Sequence, residues 1–90
     1  MNIETVKAYI EETGLKDVSL FDEPNFETAI IGISDNDQVI YDYELMVEYL
    51  VRYCDMTFEE AEDYIEFYTV GSLKTMTGRK PIILNRFEYD

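Results

Sequence analysis

The side chains able to do chemistry in this 90-residue chain are almost all carboxylates. It contains twenty Asp and Glu residues, seven Lys and Arg residues, no His and a single cysteine, Cys54. Without His, the Ser-His and Cys-His nucleophile systems cannot be built, and a zinc site lacks its usual ligands. The glycines stand apart at positions 14, 32, 71 and 78, which excludes a phosphate-binding loop. We therefore predict a protein that is not an enzyme and has no catalytic residue, metal or cofactor.

Two constellations of carboxylates offer alternatives to that prediction. Asp35, Asn36 and Asp37 resemble the start of a calcium loop, but an EF-hand loop beginning there would place Val39 and Met46 at ligand positions. A hairpin turn is the simpler interpretation. Pairs of carboxylates also carry out general acid–base chemistry, as in small hydrolases. With twenty acids such pairs arise by chance, and a hydrolase is the third hypothesis behind the two given below.

The acids are densest between residues 42 and 66, where nine acidic residues accompany one basic residue. Three like-charged pairs lie four residues apart: Glu44 with Glu48, Glu59 with Asp63, and Glu62 with Glu66. In a helix, each such pair is destabilising by about 0.2–0.5 kcal/mol. One interpretation is a solvated face that only keeps the protein soluble. The other is a row of carboxylates, spaced about 6 Å apart along the helix axis, that imitates the phosphates of a nucleic acid.

Aromatic residues accompany these acids in the same two segments, at Tyr43, Tyr64, Phe67 and Tyr68. They would add flat contact area of the kind found at the centre of protein interfaces. The predicted partner-binding residues are Glu44, Glu48, Glu59, Glu62, Asp63, Glu66, Tyr43, Tyr64 and Phe67.

Composition limits the class of protein and of partner. Hydrophobic residues make up 47% of the chain and aromatic residues 14%, too many for a disordered acidic tail. The net charge of −13 excludes binding to nucleic acid or anionic lipid by counterion release, so the expected partner is a protein with a basic surface. No apolar run is long enough to span a membrane. The lone cysteine and the absence of a signal-peptide pattern favour a cytoplasmic location.

Three helices are predicted from apolar spacing and capping residues. Asn2 caps a first helix over 3–13, which Gly14 ends. Asp42 caps a second helix over 43–54, closed by Cys54 as a half-buried apolar residue. Its apolar stripe is Leu45, Met46, Tyr49, Leu50 and Tyr53. Thr57 and Glu60 form a capping box for a third helix over 58–68. Its expected buried face contains Phe58, Ala61, Ile65 and Tyr68.

Strands are predicted on either side of the second and third helices. Residues 28–33 and 38–41 form a β-hairpin around the turn at 34–37, and residues 82–84 form a short buried strand. Residues 16–25 are expected to form a loop. The predicted fold class is α+β: one domain, residues 1–90, with a small, mostly antiparallel sheet packed by three helices in the order αββααβ.

Part of the chain resembles a group of small proteins. The matching segments are TAIIGISDNDQVIYDYELMVEYL (28–50), MTFEEAEDYIEFYTVGSL (56–73) and PIIL (81–84), which cover about half to two-thirds of the chain. They resemble small proteins of phages, prophages and other mobile elements of Firmicutes, most of which have no assigned activity. Val70, Gly71 and Ser72 depart from that pattern, in which a bulkier and often basic continuation of the helix is expected.

The resemblance implies a setting more than a mechanism. Small acidic phage proteins are often inhibitors of host defence, including anti-CRISPR and anti-restriction proteins that mimic DNA. The leading hypothesis is therefore a phage-type inhibitor in the host cytoplasm that binds a nucleic-acid-binding protein. The alternative is a structural or regulatory domain that forms a homodimer through Tyr43, Tyr64 and Phe67 or through the hairpin edge. Four basic residues are expected to pack on acids of the same chain or of a second copy, with local binding of a phosphate or nucleic acid as the alternative: Lys74, Arg79, Lys80 and Arg86.

Overall fold

The computed structural model describes residues 2–87 and contains a three-stranded sheet. The strands are β1 (Ile30–Ile33), β2 (Val39–Asp42) and β3 (Ile82–Leu84), with β2 in the centre. β1 and β2 form the predicted antiparallel hairpin, with an irregularity between Ile30 and Gly32. β3 lies parallel to β2, so the sheet is mixed, whereas the sequence led us to expect mostly antiparallel pairing.

The helices follow the predicted order, and the α+β fold class is confirmed. They are α1 (Ile3–Glu12), α2 (Tyr43–Tyr53) and α3 (Phe58–Tyr64). The third continues without a break into a π-helical segment, Ile65–Thr69, and a last α-helical turn, α4 (Val70–Ser72). A short 3₁₀ turn, Glu27–Ala29, precedes β1.

Local capping interactions fix where the helices begin. The Asn2 side chain accepts a hydrogen bond from the Glu4 N–H, and the Asp42 side chain accepts one from the Leu45 N–H. The capping box at the start of α3 is complete. The Thr57 Oγ1 accepts from the Glu60 N–H at 3.1 Å, and Glu60 Oε1 accepts from the Thr57 N–H at 2.9 Å. Each predicted N-cap therefore satisfies backbone donors that the first helical turn leaves unpaired.

Aromatic rings from a loop and from the central strand meet in the hydrophobic core. Phe21 lies edge-on to both Phe26 and Tyr41, with ring centroids 5.9 and 4.8 Å apart. The Tyr41 hydroxyl accepts a hydrogen bond from the Phe21 N–H. The largest fully buried side chains are Tyr41, Phe26, Met46, Leu50 and Ile65. The segment 16–25, predicted only as a loop, thus supplies Phe21 to the core, and Phe26 follows directly after it.

The buried faces of the second and third helices differ in part from prediction. On α2, Met46 and Leu50 are fully buried as expected, but Val47 is also buried while Tyr53 is exposed. The predicted face of the third helix is wrong at both ends, because Phe58 and Tyr68 are 64% and 68% exposed. The residues that pack inward are Ala61, Ile65 and Thr69.

Cys54 is exposed, so its prediction as a half-buried residue was wrong. It is the C-cap of α2, and the chain then turns through Asp55, whose backbone is left-handed. The turn carries the thiol away from the core.

Hydrogen bonds connect the segment before β3 to two other parts of the chain. The Ser19 N–H donates to the Arg79 carbonyl, and the Arg79 N–H donates to the Asp17 carbonyl. On the other side, Gln38 Nε2 donates to the Lys80 carbonyl at 2.9 Å. These bonds hold the basic C-terminal segment against the hairpin and lead it into β3.

Candidate protein-binding surface

All six acids predicted to bind a partner have exposed side chains: Glu44, Glu48, Glu59, Glu62, Asp63 and Glu66. Of the three predicted aromatic residues, Tyr43 and Tyr64 are half-buried in the chain, and Phe67 is 80% exposed. The structure does not bring these nine residues into one patch. It places most of them on two neighbouring surfaces, one between α2 and α3 and one along the outer side of α3 and the π-helical segment.

The first surface, here called the acidic groove, is an open cleft of about 480 Å³. Its lining residues come from α2, α3 and the segment after β3: Tyr43, Glu44, Leu45, Val47, Glu48, Phe58, Glu62, Asn85 and Arg86. Three of the predicted carboxylates therefore converge on a single concavity from two helices. Carboxylates from different helices meet here because α2 and α3 pack against each other.

The pKa of Tyr43 depends on the charges around this groove. Burial raises the pKa of the Tyr43 phenol above its usual value of 10.0, and the carboxylates of Glu62, Glu66 and Asp63 raise it further, in that order. Negative charge disfavours the phenolate, so the acids of α3 and the π-helical segment oppose the ionisation of a tyrosine that lines the groove. Asp63 and Glu66 thus contribute to the negative field at the groove although they do not line it.

The second surface, here called the aromatic face, is a shallower cleft of about 430 Å³. Its lining residues are Met56, Glu60, Asp63, Tyr64, Phe67 and Tyr68. The Tyr68 ring lies 5.1 Å from the Tyr64 ring and 6.5 Å from the Phe67 ring, measured between centroids. Three rings and two carboxylates therefore share one exposed surface.

The π-helical segment shapes the aromatic face. The Val70 N–H donates to the carbonyl of Ile65, five residues earlier. Ile65 and Thr69 both point into the core, and the wider turn between them leaves Phe67 and Tyr68 together on the outside. Such segments are rare and occur frequently at functional sites.

Glu59 lies outside both surfaces. It stands in the first turn of α3, exposed to solvent. An acid at this position is favoured by the helix dipole, which is a sufficient physical reason for its presence.

Arg86 lies at the edge of the acidic groove and is paired within the chain. Its Nε donates to Asp42 Oδ2 at 2.6 Å, and its Nη1 lies 2.9 Å from Glu44 Oε2. The hydrogen bond to Asp42 raises the pKa of the guanidinium above its usual value, and the nearby charges of Asp42, Glu44 and Glu48 add to the effect. The expectation that basic C-terminal residues pack on acids of the same chain is met at Arg86.

Arg79 makes a weaker contact of the same kind. Its Nε lies 3.8 Å from Asp37 Oδ2 and donates a hydrogen bond to the Asn36 carbonyl at 3.0 Å. Lys74 and Lys80 have no ion pair among residues 2–87.

Several residues of these surfaces escaped the sequence prediction. Phe58 was expected to be buried, and Arg86 was considered only as part of a basic tail. Glu60 was given a capping role alone, yet its side chain also borders the aromatic face. No sequence signal located Asn85 in the groove, because it comes from the far end of the chain. Tyr68 was expected both among the contact aromatics near the acids and on the buried face, and the structure places it on the exposed side.

The arrangement of these groups suits binding. Among residues 2–87, no group of three or more His, Cys, Asp or Glu side chains is placed to hold a metal ion. Within the same range, every buried side-chain nitrogen or oxygen has a hydrogen-bond partner. The groove and the face offer exposed carboxylates and ring faces, which attract cations and flat groups.

Comparison with known proteins finds no match for this chain among protein families, curated proteins or solved structures. No helix between residues 2 and 87 is long and apolar enough to cross a membrane.

Proposed function

We propose that this protein is a phage-type inhibitor that occupies the nucleic-acid-binding surface of another protein. The acidic groove and the aromatic face would contact the basic residues that normally hold phosphates. The partner would be a host defence protein of the CRISPR or restriction kind, met in the host cytoplasm. The resemblance to mobile-element proteins of Firmicutes supplies this setting, and the acidic surface supplies the chemistry.

The observation that carries the proposal is the convergence of Glu44, Glu48 and Glu62 on one groove. Carboxylates that only keep a protein soluble do not need to face the same cleft. Here two helices direct them to the same cleft, where two further acids, Asp63 and Glu66, strengthen the field. Within the described part of the chain, Arg86 is the one basic side chain that lines the cleft, and it is already paired with two carboxylates.

The proposed contact is electrostatic and should therefore depend on salt. Exposed charges are screened over a Debye length of about 10 Å at 0.1 M salt. Complementary charges speed association and set specificity more than they add affinity. A partner bound through the groove should be captured at low salt and released as the salt concentration rises.

The proposal is tested by affinity capture from a Firmicutes lysate with three forms of the protein. The first is the wild type, and the second carries Glu62→Lys, Asp63→Lys and Glu66→Lys. The third is a control that carries the same change of charge on α1, at Glu4, Glu11 and Glu12, three exposed acids on another helix.

The expected result is a nucleic-acid-binding protein that is retained by the wild type and by the α1 control, lost with the α3 variant, and released by added duplex DNA. A partner retained equally by all three forms would overturn the proposal. So would a partner that binds DNA and this protein at the same time, because the two would then occupy different surfaces.

The alternative function is self-association, and the exposed Phe67 and Tyr68 favour it. At 80% and 68% exposure these rings present more apolar surface than a solvated helix requires. A net charge of −13 on each copy opposes such a dimer. Light scattering separates the two functions: a stable dimer that dissociates when Phe67 is replaced would support the alternative.

A further inference from the structure

The aromatic face presents three rings to solvent in an arrangement that the core does not require. Phe67 and Tyr68 are 80% and 68% exposed, and Tyr64 is half-buried beside them. Ile65 and Thr69 are buried in the core, so the π-helical backbone between them holds the rings outward. A rigid helical backbone lowers the entropic cost of placing a binding group against the rings.

Carboxylates border the same rings. Glu60 and Asp63 line the face together with Tyr64, Phe67 and Tyr68, and no Lys or Arg from residues 2–87 lines it. The face of an aromatic ring carries partial negative charge, as a carboxylate carries full negative charge. Both kinds of group on this surface therefore favour a cation.

Of the two common cationic side chains, arginine fits these groups better. Its planar guanidinium stacks on a ring face, is more weakly hydrated than an ammonium, and can bind a carboxylate at the same time through a second edge. Lysine offers a compact charge that keeps its water. One guanidinium can stack on a ring and pair with a carboxylate. The aromatic face offers both kinds of group, for example at Tyr64, Tyr68 and Asp63.

We propose that the aromatic face is a docking site for arginine side chains of the partner, stacked on Phe67 and Tyr68 and paired with Glu60 or Asp63. This inference rests on the proposed function, since a surface that binds nucleic acid presents arginine and lysine side chains to the phosphates. It goes further in naming which residue type of the partner is recognised, and where.

The test compares two short peptides of equal length and charge, one of alternating arginine and glycine and one of alternating lysine and glycine. Their binding to the full chain is measured at low salt by isothermal titration calorimetry. We expect the arginine peptide to bind about two- to fivefold more tightly, which corresponds to one cation–π contact at an exposed site.

A variant isolates the contribution of the rings. Phe67→Leu together with Tyr68→Leu keeps apolar area and helix propensity but removes the ring faces. In this variant the ratio of the affinities of the arginine and lysine peptides should fall to the value that the carboxylates alone produce. The matched control, Tyr9→Leu with Tyr53→Leu, changes two exposed rings on other helices and should keep the wild-type preference.

Equal binding of the two peptides by the wild type would overturn the inference. An arginine preference that persists unchanged in the Phe67 and Tyr68 variant would also overturn it, as would failure of both peptides to bind while the chain dimerises through this face. The peptide test does not involve the partner, so its outcome is separate from that of the DNA competition that tests the proposed function.

Discussion

Arg86 and Asp42 join the end of the sheet to the start of helix α2. Arg86 Nε donates to Asp42 Oδ2 at 2.6 Å, and Asp42 Oδ1 accepts from the Leu45 N–H at 3.1 Å. One nearly buried carboxylate thus caps the helix and holds a basic residue that lies 44 positions later in the chain. The same arginine reaches Glu44, so the only basic residue that lines the groove within positions 2–87 is held in place by the fold.

The first prediction concerns this pair. Asp42→Ala should lower the free energy of unfolding by about 1 kcal/mol or more, because the helix loses its N-cap. Asp42→Asn keeps the cap and removes the charge. Arg86→Ala should therefore destabilise the wild type more than it destabilises the Asp42→Asn variant, since only the wild type is left with an unpaired, nearly buried carboxylate.

Urea denaturation of the wild type, of Asp42→Asn, of Arg86→Ala and of the variant with both changes measures this coupling. Arg52→Ala, at an exposed arginine with no ion pair within residues 2–87, is the control and should change stability little. Equal effects of Arg86→Ala in both backgrounds would contradict the pairing.

The second prediction contrasts two glycines. Gly78 has a φ of +73°, and a Cβ placed there would collide with the Asp17 carbonyl oxygen. Gly71 lies in α4 with nothing within 4 Å of such a Cβ. Gly78→Ala should therefore destabilise the protein, whereas Gly71→Ala should stabilise it by about 0.5–1 kcal/mol through helix propensity. Thermal unfolding followed by circular dichroism measures the change in unfolding temperature for each variant. Changes in the same direction would contradict this description of the two glycines.

The third prediction concerns alkaline pH. Burial raises the pKa of Tyr41 to about 12, and the hydrogen bond from Phe21 lowers it by a smaller amount. An unfolded tyrosine loses its proton near pH 10.0, whereas the folded Tyr41 keeps it. Between these values the unfolded state binds fewer protons than the folded state. The free energy of unfolding should therefore fall as pH rises from 10 to about 12, by up to about 1.4 kcal/mol per pH unit.

Denaturant unfolding at a series of pH values measures this slope. Tyr43 and Tyr49, whose pKa values are also raised by burial, act in the same direction. Tyr41→Phe removes the largest contribution and should flatten the slope. A stability that stays constant from pH 10 to 12 in the wild type would show that Tyr41 is not buried as described.

The fourth prediction is that the acids of α3 are not needed for folding. The free energy of unfolding of the variant with Glu62→Lys, Asp63→Lys and Glu66→Lys should lie within about 1.5 kcal/mol of the wild-type value, since each exposed substitution usually changes it by no more than about 0.5 kcal/mol. The change at Asp63 removes its repulsion with Glu59, which offsets a loss of stability elsewhere. Urea denaturation checks this result, and a strongly destabilised variant would mean that these carboxylates make structural contacts.

The sequence predicts best what is decided within a few residues. Asn2, Asp42 and Thr57 cap their helices as expected, because each cap involves backbone groups only two or three residues away. Gly14 ends the first helix with a positive φ of 69° for the same reason. The hairpin between β1 and β2 is equally local.

Features decided by distant contacts were not predictable in the same way. The parallel pairing of β3 depends on the route of the chain through two helices, and Phe26 enters the core from a left-handed turn in a loop. In the π-helical segment Thr69 packs inward, which a polar residue does not suggest.

For the candidate site, helix spacing identified the acids, but it did not show that Glu62 shares a groove with Glu44 while Glu59 does not. That division depends on how α2 and α3 pack.

The most direct test of the central claim is a competition measurement on the captured partner. The affinity of that partner for a labelled DNA duplex is measured with increasing concentrations of this protein, of the α3 lysine variant and of the α1 control. Wild type and control should weaken DNA binding in proportion to their concentration, less so at high salt, while the α3 variant has no effect. DNA binding that the wild type leaves unchanged, although the two proteins form a complex, would contradict the account.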